Sequence, residues 1–280
     1  MIKVLKPGLF TNLQDAGRLG FQSYGIPISG PMDKFSFDLA NKILNNSLNS
    51  SALEITMTGP LLEFYKNTLI CITGADISPR LNDIRIENNK IIEVKPKDRL
   101  SFGALVSGFR AYLGVLGGFK SNLTHNSSSM CFGVTKHVRL VKNDTLNYQQ
   151  YDFPLKEQFT LDLIVNKNAN HLKVYKGPEY DLLNDTTKKV LFSNAFSLSN
   201  TFNRMAIQLN EKLYNQINPI ITSPVLPGTI QLTPNGTLIV LMRDCQTTGG
   251  YPRILQLDER SINTISQYKK DSSFYFSSII

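Results

Sequence analysis

The sequence predicts a mainly β protein that contains two similar domains. Short apolar runs recur along its 280 residues and are separated by turns rich in Gly, Pro and Asn, which is typical of strands in a β domain. The two halves also share three pairs of similar segments, which occur in the same order and lie about 170 residues apart. We call each pair a sequence echo. Internal similarity at so long a period indicates a duplicated domain rather than a solenoid. We therefore predict a first domain at residues 1–120, a connecting segment at 121–170 and a second domain at 171–280.

The first half begins with a strand, because residues 2–5 alternate apolar and polar side chains before the turn at Pro7 and Gly8. Residues 24–33 are rich in Gly and Pro and predict a long structured loop. Asp33 can then cap a helix that runs to Leu44. Further short apolar runs predict strands at residues 52–56, 61–64, 68–72, 84–86, 91–94, 100–102 and 110–118.

The connecting segment is richer in Asn, Ser and charge, and residues 155–165 predict an extended crossing segment within it. The chain then repeats itself. The three echoes align Leu172–Pro178 with Ile2–Gly8, Asn203 and Leu209 with Asp33 and Leu39, and Asn235–Asp244 with Asn67–Asp76. The two domains are therefore expected to place matching strand ends on either side of a cleft, the kind of position where small-molecule sites occur.

One loop stands out as a candidate site. The apolar run Thr237–Met242 ends in Arg243-Asp244-Cys245-Gln246-Thr247-Thr248-Gly249-Gly250-Tyr251-Pro252. This pattern predicts a core strand that delivers a polar loop to the rim of a sheet. Its amide and hydroxyl groups can both donate and accept, and its glycines let backbone approach a ligand closely. A plain hairpin turn is the alternative.

Charged residues elsewhere extend the candidate list. Asp76 and Asp244 each end an apolar strand, where a carboxylate needs a partner, so either can act as a general base or form a turn. Arg110 and Arg204 can bind a carboxylate through a bidentate fork. Tyr251 can form the wall of a pocket and donate its hydroxyl.

Composition excludes several function classes. The net charge is +8, but Lys and Arg are scattered, which argues against nucleic-acid binding and leaves small anionic metabolites as partners. The three cysteines have no CxxC spacing and the three histidines no paired spacing, so no metal site or disulfide framework is expected. Without a signal segment or a membrane-spanning run, we expect a cytoplasmic protein that does not bind membranes.

Seven segments together resemble a known family, that of the 5-oxoprolinase C subunit, also called the biotin-dependent carboxyltransferase-like or allophanate hydrolase subunit 2 family and related to urea amidolyase. The segments are Gln14–Arg18, Ser29–Asp33, Ala52–Thr56, Thr73–Asp76, Phe109–Leu113, Pro227–Gln231 and Gln246–Pro252. They span nearly the whole chain in order. The resemblance implies two cyclophilin-like β-barrel domains with a cleft between them, in agreement with the duplication.

The resemblance also implies an activity. It points to one subunit of an ATP-dependent 5-oxoprolinase, which works with the A and B subunits to open 5-oxoproline to L-glutamate. No Walker-type phosphate loop is present, so ATP is expected to act at the level of the complex. In this interpretation Gln246, Thr247, Thr248 and the Gly249–Gly250 backbone polarise the carbonyl of a small lactam or amide. Asp76 or Asp244 accepts a proton, and Arg110 or Arg204 binds the substrate carboxylate.

The chain departs from the family pattern at three places. Asn203 and Ala206 stand where the family has Asp and Gly, Asn126–Ser129 replaces Gly-Ser-Arg-Ser, and Cys245 stands where Arg is common. These departures leave two alternatives open. One is a biotin-dependent carboxyltransferase acting on a urea-like amide, with biotin carried by another chain because no attachment motif is present here. The other is a non-catalytic partner of a kinase-inhibitor-like homologue of the B subunit.

Overall fold

The computed structural model describes residues 1–151 and 170–279, and these residues form two compact units. The first unit comprises Met1–Arg18 and the residues from Ser29 to 151. The second comprises Leu19–Ile28 and the residues from 170 to 279. A ten-residue segment from the N-terminal part of the chain therefore belongs to the second unit. We call Leu19–Ile28 the excursion segment.

Within the described residues, the first unit contains twelve strands and one helix. They are β1 (Ile2–Lys6), β2 (Phe10–Gln14), α1 (Lys34–Ile43), β3 (Ala52–Thr56), β4 (Leu61–Phe64), β5 (Thr68–Asp76), β6 (Pro79–Leu81), β7 (Ile84–Arg85), β8 (Ile92–Val94), β9 (Arg99–Phe102), β10 (Ser107–Val115), β11 (Phe119–Lys120) and β12 (Thr145–Tyr148). Two sheets result. One has the order β11-β12-β1-β4-β9-β6-β7 and the other β2-β3-β10-β5-β8.

The sheets form because their strands carry apolar side chains on inward faces. Ile2, Val4, Leu62 and Phe64 of one sheet belong to the same buried cluster as Ile70 of the other. Helix α1 begins at an N-cap, since the Oδ1 atom of Asp33 accepts a hydrogen bond from the backbone N–H of Ser36 at 3.1 Å. The predicted helix after Asp33 and the predicted strands at 52–56 and 61–64 are confirmed.

In the described part of the second unit there are nine strands and two α-helices. They are β13 (His171–Lys176), α2 (Asp185–Ser193), β14 (Phe196–Phe202), β15 (Ala206–Lys212), β16 (Ser223–Pro224), β17 (Thr229–Leu232), β18 (Thr237–Leu241), β19 (Thr248–Gly249), β20 (Arg253–Leu257), α3 (Glu259–Ser266) and β21 (Ser273–Ser278). Seven of these strands close a barrel in the order β13-β20-β17-β18-β15-β14-β21. The closing pair, β13 and β21, is parallel. Phe196, Phe274 and Phe276 are buried, and Phe276 contacts the other two rings in edge-on or tilted geometry.

The mainly β fold with a β-barrel is thus confirmed. Two of the sequence echoes join like elements, since β13 corresponds to β1 and β18 to β5. The echo between Asp33–Leu39 and Asn203–Leu209 is wrong as a structural correspondence. Asp33 caps a helix, whereas Asn203 lies in the turn between β14 and β15, and Leu209 is part of a strand. An acidic or amide side chain followed by an apolar residue suits a helix cap and a turn equally well.

The predicted domain boundaries stay predictions. Residues 121–151 group with the first unit, and the predicted crossing segment at 155–165 lies outside the described residues. No helix within residues 1–151 and 170–279 has the length and apolar character needed to cross a membrane.

Candidate functional site

The loop between β18 and β20 contains most of the predicted site residues and is held as a short ribbon. Strand β19 pairs with β16, so that Gly249 lies opposite Ser223. The backbone N–H of Ile220 donates to the Gly250 carbonyl at 2.9 Å, and that of Val225 donates to the Thr247 carbonyl at 3.1 Å. Backbone pairing therefore fixes the path of the loop and leaves its side chains to contact a ligand.

Gly249 lies against a buried glutamine. A Cβ atom there would come within 2.5 Å of the Nε2 atom of Gln231. Gln231 is almost completely buried, and its Nε2 donates to the Tyr251 carbonyl at 3.4 Å while its Oε1 accepts from Gln246 Nε2 at 3.5 Å. This row of carboxamides sets the orientation of Gln246. Sequence reasoning missed Gln231, whose position inside the buried strand β17 was the available signal.

The two threonines are the free hydroxyls of the loop. Within the described part of the chain, the side chains of Thr247 and Thr248 make no hydrogen bond, and Thr248 is exposed. Tyr251 is 40% exposed. Unpaired hydroxyls at a loop surface are available to a ligand, which is what the predicted role of Thr247 and Thr248 requires.

A small pocket in the second unit opens beside this loop. Its lining residues come from the excursion segment, from the turn before β17 and from the candidate loop: Gln22, Pro27, Ile28, Val225, Leu226, Pro227, Arg243, Cys245, Gln246 and Thr247. Its volume is about 20 Å³, room for about one water molecule. The pocket therefore has room for one small group of a ligand, with the remainder of the ligand at its mouth.

Arg243 lies in the pocket wall, and its charge is already paired. Its guanidinium donates to Glu259 at 2.5 and 3.3 Å and to Asn263 Oδ1 at 3.2 Å, both from helix α3. The Nε N–H of Arg243 is buried and has no hydrogen-bond partner among residues 1–151 and 170–279. Arg243 therefore forms part of the pocket wall with its charge already neutralised by an ion pair.

Cys245 lies in the same wall as a buried neutral thiol. Burial, followed by the nearby Asp244 carboxylate, raises the pKa of Cys245 to about 12. It packs with Val225 and Leu241 in an apolar cluster. A thiol with so high a pKa is not a nucleophile at neutral pH, so Cys245 contributes packing to the pocket.

Arg204 and Asp244, two of the predicted site residues, bind each other. Arg204 Nε and Nη2 donate to the two carboxylate oxygens of Asp244 at 2.8 and 3.0 Å, and the side chains are only 9% and 11% exposed. The backbone N–H of Asp244 also donates to the Arg204 carbonyl at 2.9 Å. This bidentate pair joins the turn before β15 to the start of the candidate loop. The predicted roles of Asp244 as base and Arg204 as carboxylate ligand stay predictions.

Asp76 and Arg110 lie in the first unit, on the neighbouring strands β5 and β10. The Asp76 carboxylate accepts from Arg85 at 2.8 and 2.9 Å and from the Ser78 backbone N–H at 2.9 Å. Arg110 is buried, with its guanidinium carbon 5.1 Å from the centre of the Phe109 ring. The structure thus divides the predicted residues, with eight in the second unit and these two in the first.

Asn203, which stands where the family has Asp, lies in a turn whose hydrogen bonds need an acceptor and not a negative charge. Asn203 Oδ1 accepts from the backbone N–H groups of Met205 at 2.7 Å and Ala206 at 3.1 Å. An aspartate can supply the same acceptor. Ala206 does not adopt a positive φ, so the absence of glycine there carries no backbone strain.

A second departure, at residues 127–129, forms a buried network around Asp15. The Asp15 carboxylate accepts from the hydroxyls of Ser127, Ser128 and Ser129 at 2.6, 3.1 and 2.8 Å, and from the Ser128 N–H at 2.6 Å and the Gly17 N–H at 2.9 Å. Burial alone would raise the pKa of Asp15. The hydrogen bonds from Ser127, Ser128, Gly17 and Ser129 outweigh it and lower that pKa.

The same network holds both ends of the excursion segment. Arg18, which is 1% exposed, donates through Nη1 to the Ser29 hydroxyl at 2.8 Å and through Nη2 to the Ser129 carbonyl. Arg18 and Ser29 are the residues that flank the excursion segment. Sequence reasoning identified this region only as a Gly- and Pro-rich loop and did not connect it with the pocket.

No group of three or more His, Cys, Asp or Glu side chains in the described ranges is arranged to hold a metal ion.

Comparison with known proteins gives a consistent result. Residues 24–278 match the family described as carboxyltransferase domain, subdomain A and B. The chain is 30% identical over 284 residues to the C subunit of 5-oxoprolinase from Escherichia coli, covering 99% of this chain and 90% of that protein. It is 46% identical over 118 residues to urea amidolyase of Saccharomyces cerevisiae, covering 42% of this chain and 6% of that protein.

Among solved structures, that of urea carboxylase from Kluyveromyces lactis superposes with a TM-score of 0.89 at 28% identity. The superposition covers 100% of this chain and 27% of the urea carboxylase chain. The chain therefore spans a small part of the urea-processing proteins and nearly the full length of the bacterial subunit.

Proposed function

The chain belongs to the carboxyltransferase domain family, subdomain A and B, and from that premise we propose that it is the C subunit of an ATP-dependent 5-oxoprolinase. In this proposal it acts with the A and B subunits in the cytoplasm to open 5-oxoproline to L-glutamate. One observation carries the proposal. The similarity to the Escherichia coli C subunit extends over 99% of this chain and 90% of that protein, so it covers nearly the full length of both.

The candidate loop supplies the groups that such a reaction needs from this chain. Thr247 and Thr248 offer free hydroxyls, and Gln246 lines the pocket beside them. Donors aimed at a lactam carbonyl stabilise the negative charge that develops on its oxygen, by about 3 kcal/mol for each well-placed donor. Water or another nucleophile attacks the carbonyl carbon, and the ring C–N bond breaks with a proton delivered to the nitrogen. Asp76 or Asp244 is proposed to move that proton.

ATP is assigned to another subunit in this proposal, because the sequence has no Walker-type phosphate loop. The isolated chain is therefore expected to be inactive. The turn at Asn203 and Ala206 keeps its hydrogen bonds despite both departures from the family pattern. The missing carboxylate at Asn203 remains the observation that favours the non-catalytic alternative.

The test is reconstitution. The chain is coexpressed with the A and B subunits, and ATP hydrolysis that depends on 5-oxoproline is measured in the purified complex. The double variant Thr247→Ala, Thr248→Ala is expected to lower kcat by at least about 100-fold, which corresponds to one lost donor. Thr201→Ala, an exposed threonine on β14, is the matched control and should leave kcat unchanged. Full activity of the double variant, or turnover by the isolated chain, would refute the assignment.

A second candidate is a biotin-dependent carboxyltransferase that acts on a urea-like amide. The 46% identity to urea amidolyase over 118 residues favours it. Biotin would then arrive on another chain and present its ureido ring. Inhibition of the complex by avidin, together with carboxylation of urea, would favour this candidate over the first.

A further inference from the structure

The ribbon of β16 and β19, which carries Thr248, is a separate two-stranded sheet outside the ladder of the barrel. Two residue pairs join its strands, Ser223 with Gly249 and Pro224 with Thr248. Pairing of this length is marginal by itself, so the ribbon depends on other contacts for a fixed position. Contacts between the ribbon and the rest of the second unit therefore decide where Thr248 lies.

The side chain of Arg253, the first residue of β20, makes such a contact with β16. Its Nη1 atom donates to the Pro224 carbonyl at 3.0 Å. The Val225 N–H donates to the Thr247 carbonyl at 3.1 Å. The adjacent pair, Pro224 and Thr248, is therefore a non-hydrogen-bonded pair, in which the backbone groups of each residue point away from the other strand. The Pro224 carbonyl accordingly points away from β19, and Arg253 holds it from that side.

The same alternation directs the backbone N–H of Thr248 away from β16. This N–H makes no hydrogen bond within residues 1–151 and 170–279, and neither does the Thr248 hydroxyl. Thr248 is also exposed. It therefore offers two donors to a ligand, and it lies directly across the ribbon from the carbonyl that Arg253 holds.

Glu179 in turn fixes the orientation of Arg253. Arg253 Nε and Nη2 donate to the Glu179 carboxylate at 3.0 and 2.8 Å, and the Arg253 backbone N–H donates to it at 2.8 Å. The two side chains are only 17% and 13% exposed, so the pair is largely shielded from solvent, unlike a surface ion pair. A planar guanidinium that is bound at three nitrogen atoms has one orientation, and this sets the direction of Nη1.

We infer that Arg253 is a positioning residue, which holds the Pro224 carbonyl and through the ribbon sets the place of the Thr248 donors. Its contacts are with Glu179 and Pro224, so it acts through the ribbon. Lysine is not an equivalent residue here, because a single ammonium group lacks the planar fork that spans a carboxylate and a carbonyl. The inference rests on the proposed function for the reaction that these donors serve, but the position of the ribbon is measured without turnover.

Hydrogen exchange of the full chain labelled with ¹⁵N tests the inference. The reporter is the backbone N–H of Val225, which is bonded within the ribbon, and the reference is the set of barrel amides in β17 and β18. Arg253→Lys keeps the positive charge beside Glu179 and removes the fork. We expect the protection of Val225 to fall at least about 10-fold and that of the barrel amides to change less than about twofold.

The reconstituted complex gives a second readout. Arg253→Lys should lower kcat at least about 10-fold and change KM for 5-oxoproline less than about twofold, because the Thr248 donors act on charge that develops in the transition state.

A second variant and a control complete the experiment. Glu179→Gln keeps Arg253 and replaces the carboxylate by a neutral amide, so it should lower the protection of Val225 about threefold. Arg260→Lys, at an exposed arginine on α3, is the matched control and should change neither the protection nor kcat. Urea denaturation establishes that each variant is folded.

Wild-type protection of Val225 in both Arg253→Lys and Glu179→Gln would overturn the inference. An equal loss of protection in the ribbon and in the barrel would also overturn it, since Arg253 would then stabilise the whole unit without positioning the ribbon. If the complex does not turn over 5-oxoproline, yet Arg253→Lys selectively loosens the ribbon, the proposed function is refuted and the inference stands. Turnover with wild-type kcat in Arg253→Lys would do the reverse.

Discussion

Removing one member of the Arg204–Asp244 pair should destabilise the protein strongly. The pair is bidentate, with bonds of 2.8 and 3.0 Å, and both side chains are about nine-tenths buried. Asp244→Ala leaves a buried guanidinium without its carboxylate, and breaking a buried pair in this way costs about 3–5 kcal/mol. Since some solvent still reaches both groups, we expect a loss near the lower end, about 3 kcal/mol.

The double variant Arg204→Met, Asp244→Ala allows the interaction energy of the pair to be separated from the other contacts of the two side chains. Because it leaves no uncompensated charge, it should cost less than either single variant, and the interaction energy from the cycle should reach about 2–3 kcal/mol. The free energy of unfolding is measured by urea denaturation at a constant m value. The pair Glu87–Lys90 is the control. Its side chains are 72% and 49% exposed, so its interaction energy should stay below about 0.5 kcal/mol.

An interaction energy below about 1 kcal/mol would refute the view that this pair braces the candidate loop. Asp244→Asn distinguishes bracing from catalysis. If Asp244 acts only as a brace, kcat of the complex should follow the loss of folded protein. A loss of kcat in fully folded protein would instead support Asp244 as the proton acceptor.

Three further predictions follow from single contacts. Because hydrogen bonds lower the folded-state pKa of Asp15, its stabilising contribution is present above the ordinary aspartate pKa and is lost as the pH falls through the lower folded value. In Asp15→Asn the free energy of unfolding should therefore fall less steeply with decreasing pH below about pH 5 than in the wild type. Urea titration at each pH measures this free energy, and an unchanged pH profile would contradict the prediction. With a pKa raised to about 12, Cys245 should react with iodoacetamide much more slowly at pH 9 in the folded chain than after urea unfolds it, as followed by mass spectrometry of its peptide; equal rates would contradict this. Gly249→Ala should displace Gln231 and cost about 1–3 kcal/mol in urea denaturation, whereas an unaffected stability would show that Gln231 moves aside freely.

Local signals predicted the elements whose side chains alternate between core and solvent. The strand at 61–64 is a clear case, because Leu62 and Phe64 are buried between less buried neighbours. Strand β2 was missed for the opposite reason. Its polar residues Thr11, Asn12 and Gln14 are all buried, so the expected alternation of polar and apolar residues is absent. Helix α3 was also missed, although Asp258 provides an N-cap signal before its two inward isoleucines.

The candidate site could be predicted only as far as one segment contains it. The apolar run that ends β18 marks the loop, because a buried strand must end where polar residues begin. The pocket wall at Gln22 lies more than 200 residues from Gln246 in the sequence, and no local pattern encodes that proximity. The pairing of Arg204 with Asp244 was hidden for the same reason. Charged residues at strand ends predict a partner but do not identify it.

The excursion segment limits how the second unit can be separated from the rest of the chain. A fragment that starts at residue 170 would contain every strand of the barrel, yet it would lack Gln22, Pro27 and Ile28, which line the pocket. The second unit is therefore not encoded by one continuous stretch of sequence, because ten of its residues precede most of the first unit. Protein engineers who wish to use the barrel as a freestanding scaffold would need to graft residues 19–28 back onto it.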